Sequence, residues 1–438
     1  MPKDRLHKDY FWAFAYALLP GIMALFTASL PEIKDGFLKI MTADNLLITD
    51  YFALAGVGAT LANVSAVTLI SVLLMYLCRV PLNGGGILVI GLMSGFSFFG
   101  KSVFNMWFIL LGTYLYCLAF KKRFSECVVI SLLSTSLAPL ISHLFFYNDR
   151  LFWGNMFLSL VCGLLIGFVM PIAGPYAASL LKGMSLYGMG FSVGLLCLVI
   201  VPVLKSYGYQ FSPVTVWRGD LNFECGTSLA ALCVFFIGIG TIKGGRQAIK
   251  NYLNILKRSG VSSQDFTYLD GMCPVFINMG VNGLAALCYI LAVGGHINGP
   301  TIGGILTVMG FSGKGKHLFN ILPIMLGVAL GGITKQWDPN SPSAQLAALF
   351  GTTLAPISGT FGPIAGIITG FIHSSVVLHA GMGYSGVNLY NNGFAGAIVS
   401  IVVYPVFIRM FRQNTYDEPS YMSKAYLELK KGENNEKA

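Results

Sequence analysis

Long apolar runs recur along this chain from Tyr10 to about residue 410, and they constrain its fold more than any other feature. Several are long enough to cross a bilayer as a helix, which takes roughly 20 residues. Charged residues make up only 11% of the 438 residues, against roughly 25% in a soluble domain. So few charges cannot cover a soluble fold of this size, which excludes a soluble globular protein, a disordered chain and a coiled coil. The sequence predicts an all-α, polytopic bundle of transmembrane helices.

The apolar runs define fourteen predicted membrane elements. They cover residues 10–29, 52–78, 84–100, 103–120, 125–147, 152–171, 186–206, 226–242, 267–293, 298–313, 317–334, 343–358, 362–380 and 388–410. The first follows a polar, basic N-terminus and lacks a small-residue cleavage site, so we interpret it as a retained span rather than a signal peptide. Whether 84–100, 298–313, 125–171 and 343–380 are full spans or re-entrant segments stays open.

Lysine and arginine cluster between the apolar runs. If the N-terminus is cytoplasmic, 21 of the 28 Lys and Arg residues fall on the cytoplasmic side and 7 on the other, as the positive-inside rule expects. We therefore expect a multi-pass protein of the cell membrane, with both termini in the cytoplasm and the lipid bilayer as its surroundings. The net charge of +10 follows from this bias, and no basic stripe indicates a nucleic-acid partner. A homo-oligomer stays an open option.

The chain contains an internal repeat. Residues 95–112, GFSFFGKSVFNMWFILLG, match residues 310–327, GFSGKGKHLFNILPIMLG, without a gap at an offset of 215. Further on, STSLAP (134–139) matches GTTLAP (351–356), and beyond a longer loop in the first copy the offset becomes 203. A gapless GFSxxGKxxFN is not expected by chance in apolar sequence, so we interpret the chain as a duplicated unit.

The number of elements in each copy predicts how the copies are oriented. Each copy holds seven predicted elements, an odd number, so the second copy enters the membrane from the side opposite to the first. Such copies are related by a pseudo-two-fold axis in the membrane plane, as in many secondary transporters. We therefore predict a first transmembrane repeat over residues 1–206, an inverted second repeat over 207–412, and a polar cytoplasmic tail over 413–438.

Polar residues of the repeat motif are the first candidates for a solute-binding site. The elements 84–100 and 298–313 are short and glycine-rich, which is typical of broken helices that line a wet cavity or of tightly packed helices. Near their ends lie matched serines, lysines and asparagines: Ser97, Lys101, Asn105, Ser312, Lys316 and Asn320. A cation in both copies would attract an anionic or polar solute, although a lysine near a span end also reaches water by snorkelling.

Other polar residues inside the apolar runs form a second group of candidates. Its members are Asn63, Asn278, Thr135, Ser136, Thr352 and Thr353. The hydroxyls precede a proline that frees a backbone carbonyl, so they indicate either a structural kink or a ligand contact. Each asparagine amide needs a partner, either another helix or a solute. Tyr187 and Tyr390 are interpreted as interface aromatics or as cavity-lining residues.

Acidic residues are scarce within the apolar runs. Asp270 is the only one close to a deep position, and we assign ion coupling to it if transport is coupled. The nine cysteines lie singly in or beside apolar runs and predict buried thiols without disulfides. His143, His373 and His379 lack metal-ligand spacing, so the sequence predicts no metal and no cofactor.

The repeat motifs and the apolar pattern together resemble a bacterial family of integral membrane proteins whose function is unassigned, over nearly the whole chain. In addition, LYGMGF (186–191) and LYNNGF (389–394) are similar to LYGxN-type segments of the urea-channel superfamily, which also has inverted repeats. The second resemblance implies architecture alone, because the rest of each repeat departs from that pattern.

These features favour a transporter or channel for a small polar solute, with an anion as one option, and not an enzyme. Two alternatives stay open. GFSG at 310–313 matches the GxSG of intramembrane serine proteases, although its twin reads GFSF and His373 has no histidine counterpart. A non-transporting scaffold is the other alternative, and it would lack a solute-accessible cavity.

Overall fold

The computed structural model describes residues 3–46, 48–147 and 152–411. All regular elements in these ranges are helices, and nine of the helices there are long and apolar enough to cross a bilayer. The prediction of an all-α chain with many apolar helices is confirmed. The polar tail predicted at 413–438 lies outside the described residues.

The described residues form nineteen α-helices. In the first half of the chain they are α1 (Lys3–Thr27), α2 (Leu30–Thr42), α3 (Tyr51–Ala55), α4 (Val57–Leu77), α5 (Gly84–Phe96), α6 (Trp107–Ala119), α7 (Phe124–Ser134), α8 (Ala138–Phe145), α9 (Phe152–Leu180) and α10 (Gly188–Ser206). In the second half they are α11 (Asn222–Ile255), α12 (Phe266–Leu269), α13 (Met272–Ala292), α14 (Gly299–Gly310), α15 (Leu318–Thr334), α16 (Pro342–Gly351), α17 (Ala355–Phe361), α18 (Pro363–Ala380) and α19 (Asn391–Met410).

Each predicted element contains a helix, but several helices are interrupted. Gly56 and Gly271 have φ angles of +82° and +98° and separate α3 from α4 and α12 from α13. This backbone conformation suits glycine, which has no Cβ. Short 3₁₀ turns at Thr135–Leu137 and Thr352–Leu354 separate α7 from α8 and α16 from α17. Each turn precedes a proline in the first turn of the next helix, where proline is tolerated.

Several helices depart from the prediction: α1 begins earlier than residue 10, and α9 continues to Leu180, beyond the predicted end at residue 171. Helix α2 is absent from the prediction, and α11 extends over Asn222–Ile255, so the predicted element 226–242 is too short at both ends. Both helices carry exposed charged residues, which apolar runs alone do not reveal. The backbone of α11 leaves helical geometry at Gly245, with φ +56°. This position lies 215 residues after Leu30, where α2 begins.

Helices α5 and α14 pack against each other through glycine. A Cβ added at Gly95, late in α5, would lie 2.6 Å from the carbonyl oxygen of Gly303, early in α14. At the other end, a Cβ on Gly84 would overlap the carbonyl oxygen of Gly313, just after α14. The two helices therefore run antiparallel, and their backbones approach as closely as small residues allow in lipid.

An aspartate from the opposite half of the chain caps each of these two helices. The Gly84 N–H, at the start of α5, donates to Asp265 Oδ1 over 3.2 Å. The Gly299 N–H, at the start of α14, donates to the Asp50 carboxylate. A carboxylate at a helix N-terminus is stabilising. Because α5 and α14 are antiparallel, the two caps lie at opposite ends of the pair, which we call the Asp265 end and the Asp50 end.

Candidate functional site

The segments that follow α5 and α14 place the predicted lysines in the same way. A glycine with positive φ precedes each lysine and turns the chain back. The backbone N–H of Lys101 donates to the Phe96 carbonyl over 3.0 Å, and that of Lys316 donates to the Phe311 carbonyl over 3.2 Å. The matched sequences thus fold into matched turns.

The predicted asparagines of the motif hold these turns. Nδ2 of Asn105 donates to the Gly100 carbonyl over 3.1 Å, and Nδ2 of Asn320 donates to the Gly315 carbonyl over 2.9 Å. In both turns the amide Oδ1 accepts a backbone N–H over 2.9 Å. In each amide, both Nδ2 and Oδ1 therefore form hydrogen bonds with backbone atoms of the turn.

Asn63 and Asn278 also bind backbone. Nδ2 of Asn63 donates to the carbonyls of Ser97 and Lys101 over 2.8 and 2.9 Å. Nδ2 of Asn278 makes the two equivalent bonds in the second half, over 2.8 and 2.7 Å. The Nδ2 atoms of both amides are therefore bonded to a neighbouring segment of the chain.

The side chains of Lys101 and Lys316 are fully buried. Lys101 Nζ lies 3.3 Å from Tyr390 Oη. Lys316 Nζ lies 2.5 Å from Tyr187 Oη and 2.7 Å from Thr352 Oγ1. Tyr187 and Tyr390 belong to the matched segments 186–191 and 389–394, which share the pattern LYxxGF. Each lysine therefore contacts the tyrosine of the LYxxGF segment in the other half of the chain.

The predicted serines bond mainly within their own segments. The hydroxyls of Ser97 and Ser312 donate to the carbonyl four residues earlier, and Ser312 Oγ also accepts from Asn282 Nδ2 over 2.8 Å. Among the described residues, no hydrogen bond joins Ser312 to His373 or His379, which a hydrolase would need as a base.

Each LYxxGF segment packs against the hydroxyl-rich segment of the other half. The Leu389 N–H donates to the Ser136 carbonyl over 3.1 Å, and the Leu186 N–H donates to the Thr353 carbonyl over 2.9 Å. Thr135 Oγ1 instead donates to the carbonyl three residues earlier over 2.5 Å. The two backbone bonds of Leu389 and Leu186 therefore join the two halves of the chain, as the lysine–tyrosine contacts do.

A cavity of about 280 Å³ lies between these exchanged segments. Six pairs of residues at matched repeat positions line it: Phe96 and Phe311, Leu133 and Phe350, Leu186 and Leu389, Tyr187 and Tyr390, Met189 and Asn392, and Gly190 and Gly393. The twelve residues predicted to bind solute are not in this wall. Lys101 and Lys316 lie one layer behind it, in contact with the two tyrosines.

The two ends of the cavity region differ. At the Asp265 end the cavity is lined by Gly85, Ser262 and Lys314, all of which are half-buried and reach the surface. The repeat positions that match Gly85 and Lys314 are Pro300 and Phe99, which are buried at the Asp50 end. The cavity wall is therefore partly exposed at the Asp265 end, whereas the positions that match Gly85 and Lys314 are buried at the Asp50 end.

The linker 207–221, which joins α10 to α11, covers the Asp50 end. Asp50 Oδ2 accepts the Arg218 N–H over 3.1 Å, and the Arg218 carbonyl accepts from Asn298 Nδ2 over 2.8 Å. Burial raises the pKa of the Asp50 carboxyl to about 6, because the charged form loses its hydration.

Other predicted residues lie away from the cavity. Both carboxylate oxygens of Asp270 are bonded to Arg258, from Nε and Nη2, over 2.8 Å each, and its role in ion coupling stays a prediction. The cysteines are free thiols, but Cys288 is exposed. The prediction of a buried thiol is wrong for Cys288 and holds only in part for Cys78, Cys225 and Cys273, which are half-buried, because a residue in an apolar run can face outward from a helix that lipid surrounds.

Sequence reasoning missed the capping aspartates and the aromatic part of the cavity wall. Asp50 and Asp265 lie 215 residues apart, so extending the repeat alignment would have paired them. Phe96 and Phe311 lie inside the quoted repeat, yet their apolar side chains indicate packing as readily as a cavity wall.

The described architecture fits a multi-pass helical membrane protein with nine candidate spans. The chain belongs to the family described as "Protein of unknown function (DUF1576)", whose model matches residues 30–206 and 245–409. The two matches begin 215 residues apart and end 203 residues apart, the same offsets as the internal repeat. No curated protein and no solved structure matches the chain. Membership in an uncharacterised family is thus confirmed, and the resemblance to the urea-channel superfamily stays a prediction.

Proposed function

We propose that this protein is a membrane transporter in which two inverted repeats, residues 1–206 and 207–412, enclose a small solute. One observation carries the proposal: residues at matched positions of the two halves line a single cavity. Largely apolar cavities with a few polar groups are the usual form of small-molecule sites. Transporters with inverted repeats bind their substrates at the repeat interface. The partners in this proposal are the lipid bilayer and the solute, and no residue has a catalytic role.

The contacts between α5 and α14 support the inverted relation. Gly84 lies against Gly313, and Gly299 lies against Phe98. Gly84 and Gly299 occupy matched repeat positions, and so do Phe98 and Gly313. The two contacts are therefore equivalent, with the halves of the chain exchanged, as expected for two units related by a two-fold axis. An axis that reverses the direction of the helices lies in the membrane plane.

The difference between the two ends supports alternating access. In an inverted repeat the halves can exchange conformations, so a structure accessible at one end has a counterpart accessible at the other. We infer access past Lys314 at the Asp265 end, where residues that line the cavity are partly exposed. The excess of lysine and arginine on that side favours a cytoplasmic location for it, so we propose that this is the inward-facing state.

Filling the cavity tests the proposal. Met189 lines the cavity and is half-buried, so Met189→Trp should place an indole in the solute path. Uptake should slow by roughly 10-fold or more, because even about 1.4 kcal/mol of overpacking is a factor of ten. The measurement is uptake of a mixture of small metabolites into vesicles that contain the purified protein, with the internal solutes identified by mass spectrometry.

The matched control is Met382→Trp, because Met382 is 66% exposed. It should leave uptake unchanged. If no solute enters faster than into protein-free vesicles, or if both tryptophan variants transport like the wild type, the transport proposal is wrong.

A further inference from the structure

We propose that the solute is a monocarboxylate with an apolar body, whose carboxylate is bound by the hydroxyls of Tyr187 and Tyr390 in front of Lys101 and Lys316. This inference rests on the proposed transport function and names its substrate class. It is carried by the charges behind the cavity wall and by the composition of the wall itself.

Within the described part of the chain, the two lysines have no neighbouring anion. Both are fully buried. The ion pairs of the described residues are Arg123–Glu126, His143–Asp44, Arg218–Asp220 and Arg258–Asp270, and none includes either lysine. A buried charge that lacks a partner of opposite sign is costly. An anion in the cavity would supply that partner.

The tyrosines connect the lysines to the cavity. Lys101 Nζ donates to Tyr390 Oη, and Lys316 Nζ donates to Tyr187 Oη. The ammonium groups also lie 5.4 and 4.6 Å from the centres of these rings. A phenol oxygen that accepts from an ammonium keeps its own proton, which Tyr390 can donate to a carboxylate and Tyr187 can donate either to a carboxylate or to the neighbouring Thr352 hydroxyl. Hydrogen bonds that follow one another in such a chain strengthen each other, so each hydroxyl is a good donor to a carboxylate.

The rest of the wall calls for an apolar body. It is mainly hydrocarbon, including Leu88, Leu92, Leu133, Phe350 and Leu389, and the described residues that line it include no aspartate or glutamate. A small inorganic anion would leave this surface uncovered in a cavity of about 280 Å³. A neutral solute would fill the space but leave the two lysines without an anion. A monocarboxylate with a ring or a branched chain satisfies both requirements.

The experiment measures binding to the full-length protein in detergent by thermal shift. The probes are benzoate, cyclohexanecarboxylate, benzamide and chloride. Both carboxylates should raise the melting temperature, because each has the charge and the apolar body. Benzamide lacks the charge and chloride lacks the body, so neither should raise it at the same concentration.

The variant Lys101→Met/Lys316→Met tests the source of the selectivity. Methionine has a similar length and removes two buried charges, so this variant should fold with a melting temperature at or above that of the wild type. Its affinity for benzoate should fall by at least about 30-fold, because losing the partner of a buried charge is costly in binding. Should it fail to fold, Tyr187→Phe/Tyr390→Phe removes the two donors instead and should lose the same preference.

Equal binding of benzamide and benzoate by the wild type would overturn the inference. So would unchanged benzoate affinity in the folded variant, or the absence of any carboxylate binding. Vesicle uptake separates the two proposals: if other solutes enter the vesicles but carboxylates do not bind, the carboxylate inference fails while transport stands.

Discussion

Replacing Gly95 by valine is expected to destabilise this protein strongly by forcing its two central helices apart. The added Cβ would lie 2.6 Å from the Gly303 carbonyl oxygen and 3.2 Å from the Gly303 Cα. These are backbone atoms, so no side chain can rotate away and α5 must separate from α14. We expect a loss of about 3 kcal/mol, the upper part of the usual cost of overpacking.

The measurement is the fraction of protein that stays monodisperse after heating, across a range of temperatures. The matched control is Gly238→Val in the middle of α11, where a Cβ would meet nothing within 4 Å. It should leave the stability unchanged or raise it slightly, because valine has a better helix propensity than glycine. If Gly95→Val is as stable as Gly238→Val, the close packing of the central helix pair does not hold the fold together.

The second large effect is a pH dependence at the Asp50 end. Burial raises the pKa of Asp50 to about 6, whereas an exposed aspartate titrates near 4. If the linker 207–221 opens and exposes Asp50, the closed state holds its proton more tightly than the open state. Acid therefore favours the closed linker, and raising the pH from about 4 to just above 6 favours opening by up to roughly 100-fold, with little further change at higher pH.

Labelling of a cysteine under the linker measures this opening. Ile48 is 4% exposed, and its carbonyl accepts the Val216 N–H over 2.8 Å, so Ile48→Cys should react faster as the pH rises. The exposed Ser212→Cys corrects for the pH dependence of the thiol reaction. The charged group that acts on Asp50 is Arg218, whose guanidinium is itself paired with Asp220.

Asp50→Asn identifies the titrating group. The amide stays uncharged across this pH range, so the corrected labelling of Ile48→Cys should become independent of pH and remain slow. A rise with pH that persists in Asp50→Asn would assign the effect to another group. A corrected rate that is flat in the wild-type background would show that Asp50 does not control the linker.

The overall class of the protein was predictable from sequence because lipid sets a simple requirement. A helix that crosses a bilayer needs a long apolar run with few charges, and such runs are visible by composition alone. The same rule failed for α2 and for the ends of α11, where charged residues such as Lys243 lie on exposed helical faces. Apolar length marks spans but does not mark amphipathic helices beside them.

The location of the candidate site was predictable in part, because the repeat motifs include segments that lie around the cavity. Lys101 and Lys316 do lie behind one cavity wall. However, an alignment of the two repeats shows which residues occupy equivalent positions. It does not show whether a side chain contacts its own repeat or the other one. The exchange that pairs Lys101 with Tyr390 and Lys316 with Tyr187 depends on the three-dimensional crossing of the two halves.

The sidedness of two equivalent loops tests the central claim most directly. Lys121 follows α6 and Gln336 follows α15, at matched positions 215 residues apart, and both are exposed. Single cysteines would be placed at each position in a chain without its native cysteines and treated with a membrane-impermeant maleimide. We predict that Gln336→Cys is labelled in intact cells and that Lys121→Cys is labelled only after the membrane is permeabilised. Labelling of both positions from the same side would contradict the inverted arrangement of the two halves.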